Sequence, residues 1–286
     1  MSWLLLGMVV AVLTSAQDIL NKQMIGRTHL LAVTWGWWFF SMPLLYGGLL
    51  FSTPSKITSG FWVVLFFSTV LISIGVLCYV KALESDLSIS IPMLNFTPLL
   101  LLLTSPLITK ETPRLMGIVG VMLIVAGAYV MFIRSSHTGL LGPMKALVQS
   151  NGPRYMLVVA VVFSISGNLD KIGVMHSSPL LWPVFLNTTL SAVLSVILLF
   201  YVPSWKEEIF RHYPKLIIIG TINGAALWVQ MVAIQWTQVP YLIAVKRTSV
   251  LISALYGFLI LKEGGLKERL PGILMMITGV FLIAFT

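Results

Sequence analysis

The chain has 286 residues, 58% hydrophobic and only 9% charged, with a mean hydropathy of +0.97. That composition excludes a soluble domain, which needs more polar residues than this to cover its surface, and points to a polytopic helical membrane protein. The net charge of +9 suits anionic lipid headgroups and loop-directed topology, so the bilayer rather than nucleic acid is the expected partner. The single Cys78 excludes an internal disulfide and a cysteine-based metal cluster.

Ten apolar segments follow in chain order, at 3–24, 30–51, 61–83, 88–108, 115–133, 155–175, 180–202, 214–236, 241–261 and 270–285. Each approaches the roughly 20 residues a helix needs to cross a bilayer. The alternating pattern of a membrane β-barrel is absent. The first segment carries a faint cleavage-like pattern at 13–17, but no positive region precedes it. A counterpart in mid-chain makes its retention as a span the expectation. The connections are short and polar, marked by Pro, Gly, Ser and charge. The longest, 134–154, divides ten segments into five and five.

The two halves resemble each other. Ser15 and Lys22 of span one match Ser164 and Lys171 of span six at a single offset of 149 residues. Lys110-Glu111 after span four matches Lys262-Glu263 after span nine. Arg114-Leu115-Met116-Gly117 is aligned with Arg269-Leu270-Pro271-Gly272, and Ala126-Gly127 with Thr278-Gly279. Five is an odd number, so the second copy enters the membrane from the opposite side. The expected fold is therefore all-α, with ten transmembrane helices as two inverted five-helix repeats: 1–138, a connecting loop at 139–153, and 154–286.

Lys246-Arg247-Thr248-Ser249, then Leu261-Lys262-Glu263, Pro271-Gly272 and Thr278-Gly279, resemble the second EamA-type repeat of the drug/metabolite transporter superfamily. The stretch from Lys110-Glu111 to Gly127 resembles the same tail of the first repeat. The resemblance covers nearly the whole chain. It implies a carrier with a central cavity lined by spans one to four and six to nine, with spans five and ten at the periphery. The adjacent Lys246-Arg247 is also similar in position to a pair that holds phosphate in the plastid triose-phosphate carriers of this superfamily. The resemblance implies both termini in the cytoplasm. Basic residues decide otherwise: Arg27, Arg134, Lys145, Arg154, Lys206, Arg211, Lys262, Lys267 and Arg269 follow odd-numbered spans, against Lys56, Lys110 and Arg114 after even ones. The positive-inside rule then puts both termini outside.

Span nine carries the strongest chemical signal. Lys246, Ser249, Ser253 and Tyr256 fall at i, i+3, i+7 and i+10, one face of a continuous helix. A cation at mid-membrane costs roughly 2.5–3.5 kcal/mol on insertion scales. Lys246 is therefore expected either to anchor an anionic substrate group or to pair with a carboxylate on another helix. Arg247 points about 100° away on such a helix. Its planar guanidinium suits bidentate contact with carboxylate or phosphate, or a structural pair.

On span one, Asp18 and Lys22 stand at i, i+4, a favourable ion-pair spacing; interfacial snorkelling of Lys22 is the alternative. Asp170 and Lys171 hold the corresponding place in span six. These four are the candidates for proton coupling or gating at opposite mouths of the cavity. Asn95, Thr97, Asn187, Asn223 and Gln230 are further candidate substrate contacts, although polar groups in spans often only bind helices together. Trp35, Trp37, Trp38, Phe39 and Phe40 read as an interfacial aromatic belt. Pro92, Pro98 and Pro106 bend span four.

The chain has no P-loop, HExxH or GxSxG motif, so no nucleotide drive, metal site, cofactor or catalytic residues are expected. The expected activity is secondary transport of a small polar metabolite, anionic or zwitterionic, by alternating access in a prokaryotic inner membrane. Protons are the candidate coupling ion, and the protein is expected as a monomer or homodimer. The alternatives are a flippase for a lipid-linked anionic headgroup and an intramembrane enzyme acting on a phosphate-bearing substrate.

Overall fold

The computed structural model describes residues 2–24, 27–50, 56–84, 87–136, 150–259 and 266–286. Lys145, most of the connecting loop, and Lys262-Glu263 lie outside the described residues. Thirteen helices are present among those described: α1 (Ser2–Met24), α2 (Leu30–Phe39), α3 (Met42–Leu49), α4 (Gly60–Leu83), α5 (Leu87–Leu94), α6 (Thr97–Ile108), α7 (Leu115–Ser136), α8 (Asn151–Met175), α9 (Leu181–Tyr201), α10 (Trp205–Ala233), α11 (Val239–Lys246), α12 (Ser249–Leu259) and α13 (Leu266–Ala284). No strand occurs among the described residues. Among the described residues, six segments are long and apolar enough to cross a bilayer: α1, α4, α8, α9, α10 and the α11–α12 pair. Thr97–Ile108, Leu115–Met131 and Arg269–Ala284 are shorter apolar helices.

Three of the ten expected segments are broken. Segment two divides into α2 and α3, where Pro43 enters the first turn of α3. Segment four divides into α5 and α6, with Pro98 in the first turn of α6. Proline lacks the amide hydrogen and its ring crowds the carbonyl four residues back, so each break sits where the chain must yield. At the second break the Thr97 hydroxyl donates to the Leu94 carbonyl at 2.7 Å, satisfying a group the lost helical turn leaves open. Segment nine divides at Arg247–Thr248 without any proline. There the Thr248 hydroxyl donates to the Val245 carbonyl at 2.7 Å, and the Thr248 amide donates to the same oxygen at 3.0 Å. A local side-chain bond of this kind competes with the helical ladder. The breaks in segments four and nine match: α5 and α11 begin 152 residues apart, as do α6 and α12.

Segment eight differs in length. Helix α10 begins nine residues before the expected start at Pro214 and runs for 29 residues. At 1.5 Å per residue it is about 43 Å long, more than the roughly 30 Å of a hydrocarbon core. Its first turns carry Glu207, Glu208 and exposed Phe210, which suit a helix end at the headgroup level.

The halves interlock instead of forming separate bundles. Helix α4 of the first half packs along α8 of the second, and α1 packs along α10, so each half supplies walls to the other. Helices α7 and α13 pack together most extensively. A Cβ on Gly120 would lie 2.7 Å from the Gly279 carbonyl oxygen, and one on Gly127 would lie 2.5 Å from that of Gly272. The reverse contacts are equally tight. Gly120 lies near the start of α7 and meets Gly279 near the end of α13, so the two helices run antiparallel. Gly120 and Gly272 are 152 residues apart, as are Gly127 and Gly279. This corrects the alignment of Gly117 with Gly272: in space the counterpart of Gly272 is Gly120. The outer faces of the pair carry exposed Met116, Val119, Leu274 and Phe281, as peripheral, lipid-facing helices require.

Candidate functional site

A cavity of about 690 Å³ opens at one end of the bundle. Its wall includes the end of α1, the start of α2, the end of α4, α5, α12 from Ser249 to Gly257 and Arg269 of α13. Since α1 starts and α13 finishes at the other end, the opening faces away from Ser2 and Thr286. The volume falls in the range of small-molecule sites.

Among the described residues, four charged ones line the cavity: Asp18, Lys22, Arg247 and Arg269, three positive and one negative. Asp18 is exposed, and what it is exposed to is this space. Its carboxylate accepts no hydrogen bond and has no cation within 4.0 Å among the described residues. Thr14, Asp18, Asn21 and Lys22 share a face of α1, at i, i+4, i+7 and i+8. Ser15 turns from that face and bonds Ser253 of α12 at 2.8 Å, tying the two walls together. Trp37 also lines the cavity, with its indole N–H donating to Asn21 at 3.0 Å. Trp35 points inward as well, donating to Ser195 at 2.7 Å, so these two tryptophans serve the interior and not an interfacial belt.

The break in segment nine changes which cation faces the cavity. A continuous helix would put Lys246 in line with Ser249, Ser253 and Tyr256. The turn at 247–248 rotates the register, so Arg247 joins Ser249, Ser253 and Tyr256 on the cavity wall while Lys246 leaves it. Lys246 instead donates to Gln230 on α10 at 2.8 Å. Arg247 donates through one terminal nitrogen to Thr97 at 3.3 Å, while its Nε is buried with no hydrogen bond among the described residues. Asn95, the residue 152 positions before Arg247, stands at the other break; it lines the cavity, is 2% exposed, and its Nδ2 is also buried with no hydrogen bond among the described residues. An unmade hydrogen bond of this kind costs roughly 1–3 kcal/mol per group.

Other expected contacts are engaged elsewhere. Asn187 is fully buried, accepting from Ser41 at 2.7 Å and donating to the Pro183 carbonyl at 2.7 Å. Asn223 accepts from Gln17 at 3.4 Å and donates to the Trp37 carbonyl at 3.1 Å. Neither these two nor Gln230 and Thr97 line the cavity. Asp170 is 8% exposed and accepts from the indole N–H of Trp182 at 2.9 Å.

At the end of the bundle opposite the opening, the halves are joined. Lys171 pairs with Glu111, and the other Glu111 oxygen accepts from the backbone amide of Val239 at 2.9 Å. Lys171 also donates to the Thr237 carbonyl at 2.8 Å. One carboxylate thus ties the end of α6 to the end of α8 and occupies an otherwise open donor at the start of α11. Lys110 immediately before it has φ of 58°, the left-handed conformation common just past a helix end, and this turns the chain so that Glu111 points inward. Nearby, the Tyr241 hydroxyl accepts from the Arg114 amide at 2.9 Å. Asn168 donates to Thr104 at 3.0 Å and accepts from Ser105 at 2.7 Å.

Two related halves, with matching breaks in segments four and nine, enclose a cavity open at one end. The profile of the EamA-like transporter family matches residues 1–133 and 151–285. The chain belongs to the EamA-like transporter family. It is a multi-pass membrane protein of the drug/metabolite transporter superfamily, built on two EamA repeats. Among solved structures, 27 chains match. One of these, described only as a crystal structure of a protein, superposes with a TM-score of 0.76 over 99% of this chain and 97% of its own, at 14% identity. That likeness concerns the fold alone. No curated protein matches the chain.

Membership in this family leaves the roles of individual residues to geometry. The Glu111–Lys171 contact is one that sequence reading does not assemble, although both residues are conspicuous in it. The signal available was the doubled Lys-Glu after segments four and nine. The cavity residues Thr14, Asn21, Thr34, Trp37 and Tyr79 are likewise missed, because each looks like an ordinary packing residue until α1, α2 and α4 converge.

Proposed function

We propose that the protein is a secondary transporter of a small polar metabolite, anionic or zwitterionic, working by alternating access with ten spans arranged as two inverted repeats. The observation that carries this is the polarity of the bundle: a cavity open at one end, and a Glu111–Lys171–Val239 junction closing the other. The antiparallel contact of α7 with α13 at equivalent glycines supports inversion, since equivalent helices related in this way need a two-fold axis across them. Inverted repeats give a transporter two related conformations, each the other turned over. The cavity end carries Lys22, Arg27, Arg154, Lys206, Arg211 and Arg269, so by the positive-inside rule the cavity faces the cytoplasm and both termini lie outside.

Within this scheme Arg247 is the principal anion contact, with Ser249, Ser253 and Tyr256 beside it. Lys246 supplies positive charge from just behind the wall and holds α10 in place through Gln230. Asp18 and Lys22 serve the open mouth, and Asp170 and Lys171 the closed one; the two carboxylates are the candidate proton carriers.

The test uses proteoliposomes loaded with a small-metabolite extract, with release followed by mass spectrometry. Individual anionic or zwitterionic metabolites should leave protein-containing vesicles and stay in empty ones. Arg247→Gln should abolish that release, and Lys246→Ala should slow it by about tenfold or more, a loss of roughly 1.4 kcal/mol. Identical retention in both kinds of vesicle would defeat the transport reading. Parental rates in both variants would defeat the charge assignment alone.

A further inference from the structure

We infer that Asp170 and Lys246, both off the cavity wall in this conformation, form the charged wall of the cavity that opens at the opposite end. This rests on the transporter reading and names the residues of its second binding face.

The repeats correspond at a spacing of 152 residues, and the correspondence extends to contacts. Leu94 and Lys246, the last residues of α5 and α11, stand at that spacing. Ser15 bonds Ser253 at 2.8 Å; their counterparts Gly167 and Leu101 also meet, since a Cβ on Gly167 would lie 3.8 Å from the Leu101 side chain. A Cβ on Gly7 would lie 3.1 Å from the Val245 side chain, and the counterparts Val159 and Met93 share one buried cluster. Helix α1 therefore packs on segment nine as α8 packs on segment four. This spacing replaces the 149 residues suggested by Ser15 and Lys22, and it makes Asp170 the counterpart of Asp18.

Asp18, Ile19, Leu30 and Leu94 line the open cavity. Their counterparts are Asp170, Lys171, Trp182 and Lys246, and protein partners hold all four. Asp170 accepts from the buried Trp182, Lys171 pairs with Glu111, and Lys246 donates to Gln230. Bonded polar groups of this kind are what a closed cavity requires, since water no longer serves them. Inverted repeats change state by exchanging conformations, so each counterpart takes the wall position its partner holds now. The chemistry of the wall then changes. Lysines replace Leu94 and Ile19, whereas Asn95 and Arg247 exchange with each other and line both cavities. Lys246 lies within electrostatic reach of Asp18 and of Asp170, so one ammonium serves the carboxylate of either face. An anionic group therefore meets Arg247 from both sides of the membrane and Lys246 from one.

The test follows the reaction of single cysteines with a charged, membrane-impermeant thiol reagent, in the full-length Cys78→Ala protein in proteoliposomes. Leu94→Cys and Lys246→Cys form one pair. Ile91→Cys and Ile243→Cys form a second pair at the same spacing; they alter no charge, so a Lys246→Cys protein that fails to fold leaves the question answerable. Val245→Cys, packed on Gly7, is the unreactive control. Both members of each pair should react. Glu111→Gln should speed reaction at Ile243→Cys and Lys246→Cys about tenfold or more and slow it at Ile91→Cys and Leu94→Cys, because one face opens as the other closes. Two results would overturn the inference: Ile243→Cys and Lys246→Cys proteins that release metabolites from vesicles yet stay as unreactive as the control, or equal acceleration of both pairs by Glu111→Gln. In either case persisting release shows that transport stands and this wall does not. Absence of release from the parental protein as well would remove the transporter reading itself.

Discussion

Glu111→Gln isolates the charge at the closed end of the bundle. The variant keeps a carbonyl-type oxygen for the Val239 amide and loses the ionic attraction for Lys171. Side-chain exposure at the pair is 10% for Glu111 and 18% for Lys171. Removing one partner of a fully buried pair costs about 3–5 kcal/mol, and a surface pair is worth about 0–1. With limited solvent access, about 2 kcal/mol is the working value, in line with hydrogen bonds to charged groups. If the junction holds only the closed conformation, that amount shifts the balance toward opening about 30-fold. The shift can be read by accessibility. In a Cys78→Ala background, a cysteine at Thr109 beside the junction is labelled by a membrane-impermeant thiol reagent. Labelling should accelerate by about 10- to 100-fold in Glu111→Gln. The double variant Glu111→Gln/Lys171→Met should add little beyond the single change, because both remove one interaction. An unchanged labelling rate in a folded Glu111→Gln protein would refute the junction as a closing device.

Two further outcomes concern the frame around the site. Gly127→Leu should separate α7 from α13, since even a Cβ there would lie 2.5 Å from the Gly272 carbonyl oxygen; a fall in melting temperature of several degrees is expected, and Gly47→Leu, where nothing lies within 4 Å, should leave it unchanged. Asp170→Ala should destabilise the protein by about 1–3 kcal/mol by leaving the fully buried Trp182 N–H unbonded, whereas Asp170→Asn keeps an acceptor and should cost less, both measured by chemical denaturation in detergent.

Helix breaks account for most of the distance between the sequence and the site. Pro43 and Pro98 announce two of them, because a missing amide hydrogen is a property of the residue. The third, at Arg247–Thr248, has no such marker. Reading segment nine as a continuous helix therefore places Lys246 on the polar stripe and turns Arg247 away. One irregular turn reverses the pair. Asn95 is legible as a candidate, but its correspondence with Arg247 emerges only from the matched helix boundaries. Asn187, Asn223 and Gln230 show the opposite limit: a polar side chain in an apolar segment has the same composition whether it meets a ligand or another helix.

By itself the sequence determines that this chain is a helical membrane protein, that it contains two related copies, and that charge is concentrated where segments one, six and nine cross. Apolar length and the need to satisfy every backbone group within the bilayer leave little choice there. Tertiary structure alone decides which end of the bundle is open, which cation faces the cavity, and that Glu111 of one half meets Lys171 of the other. Those outcomes depend on helices distant in the chain packing at particular rotations. A turn of one residue rotates a side chain by about 100°, and hydropathy is blind to that rotation.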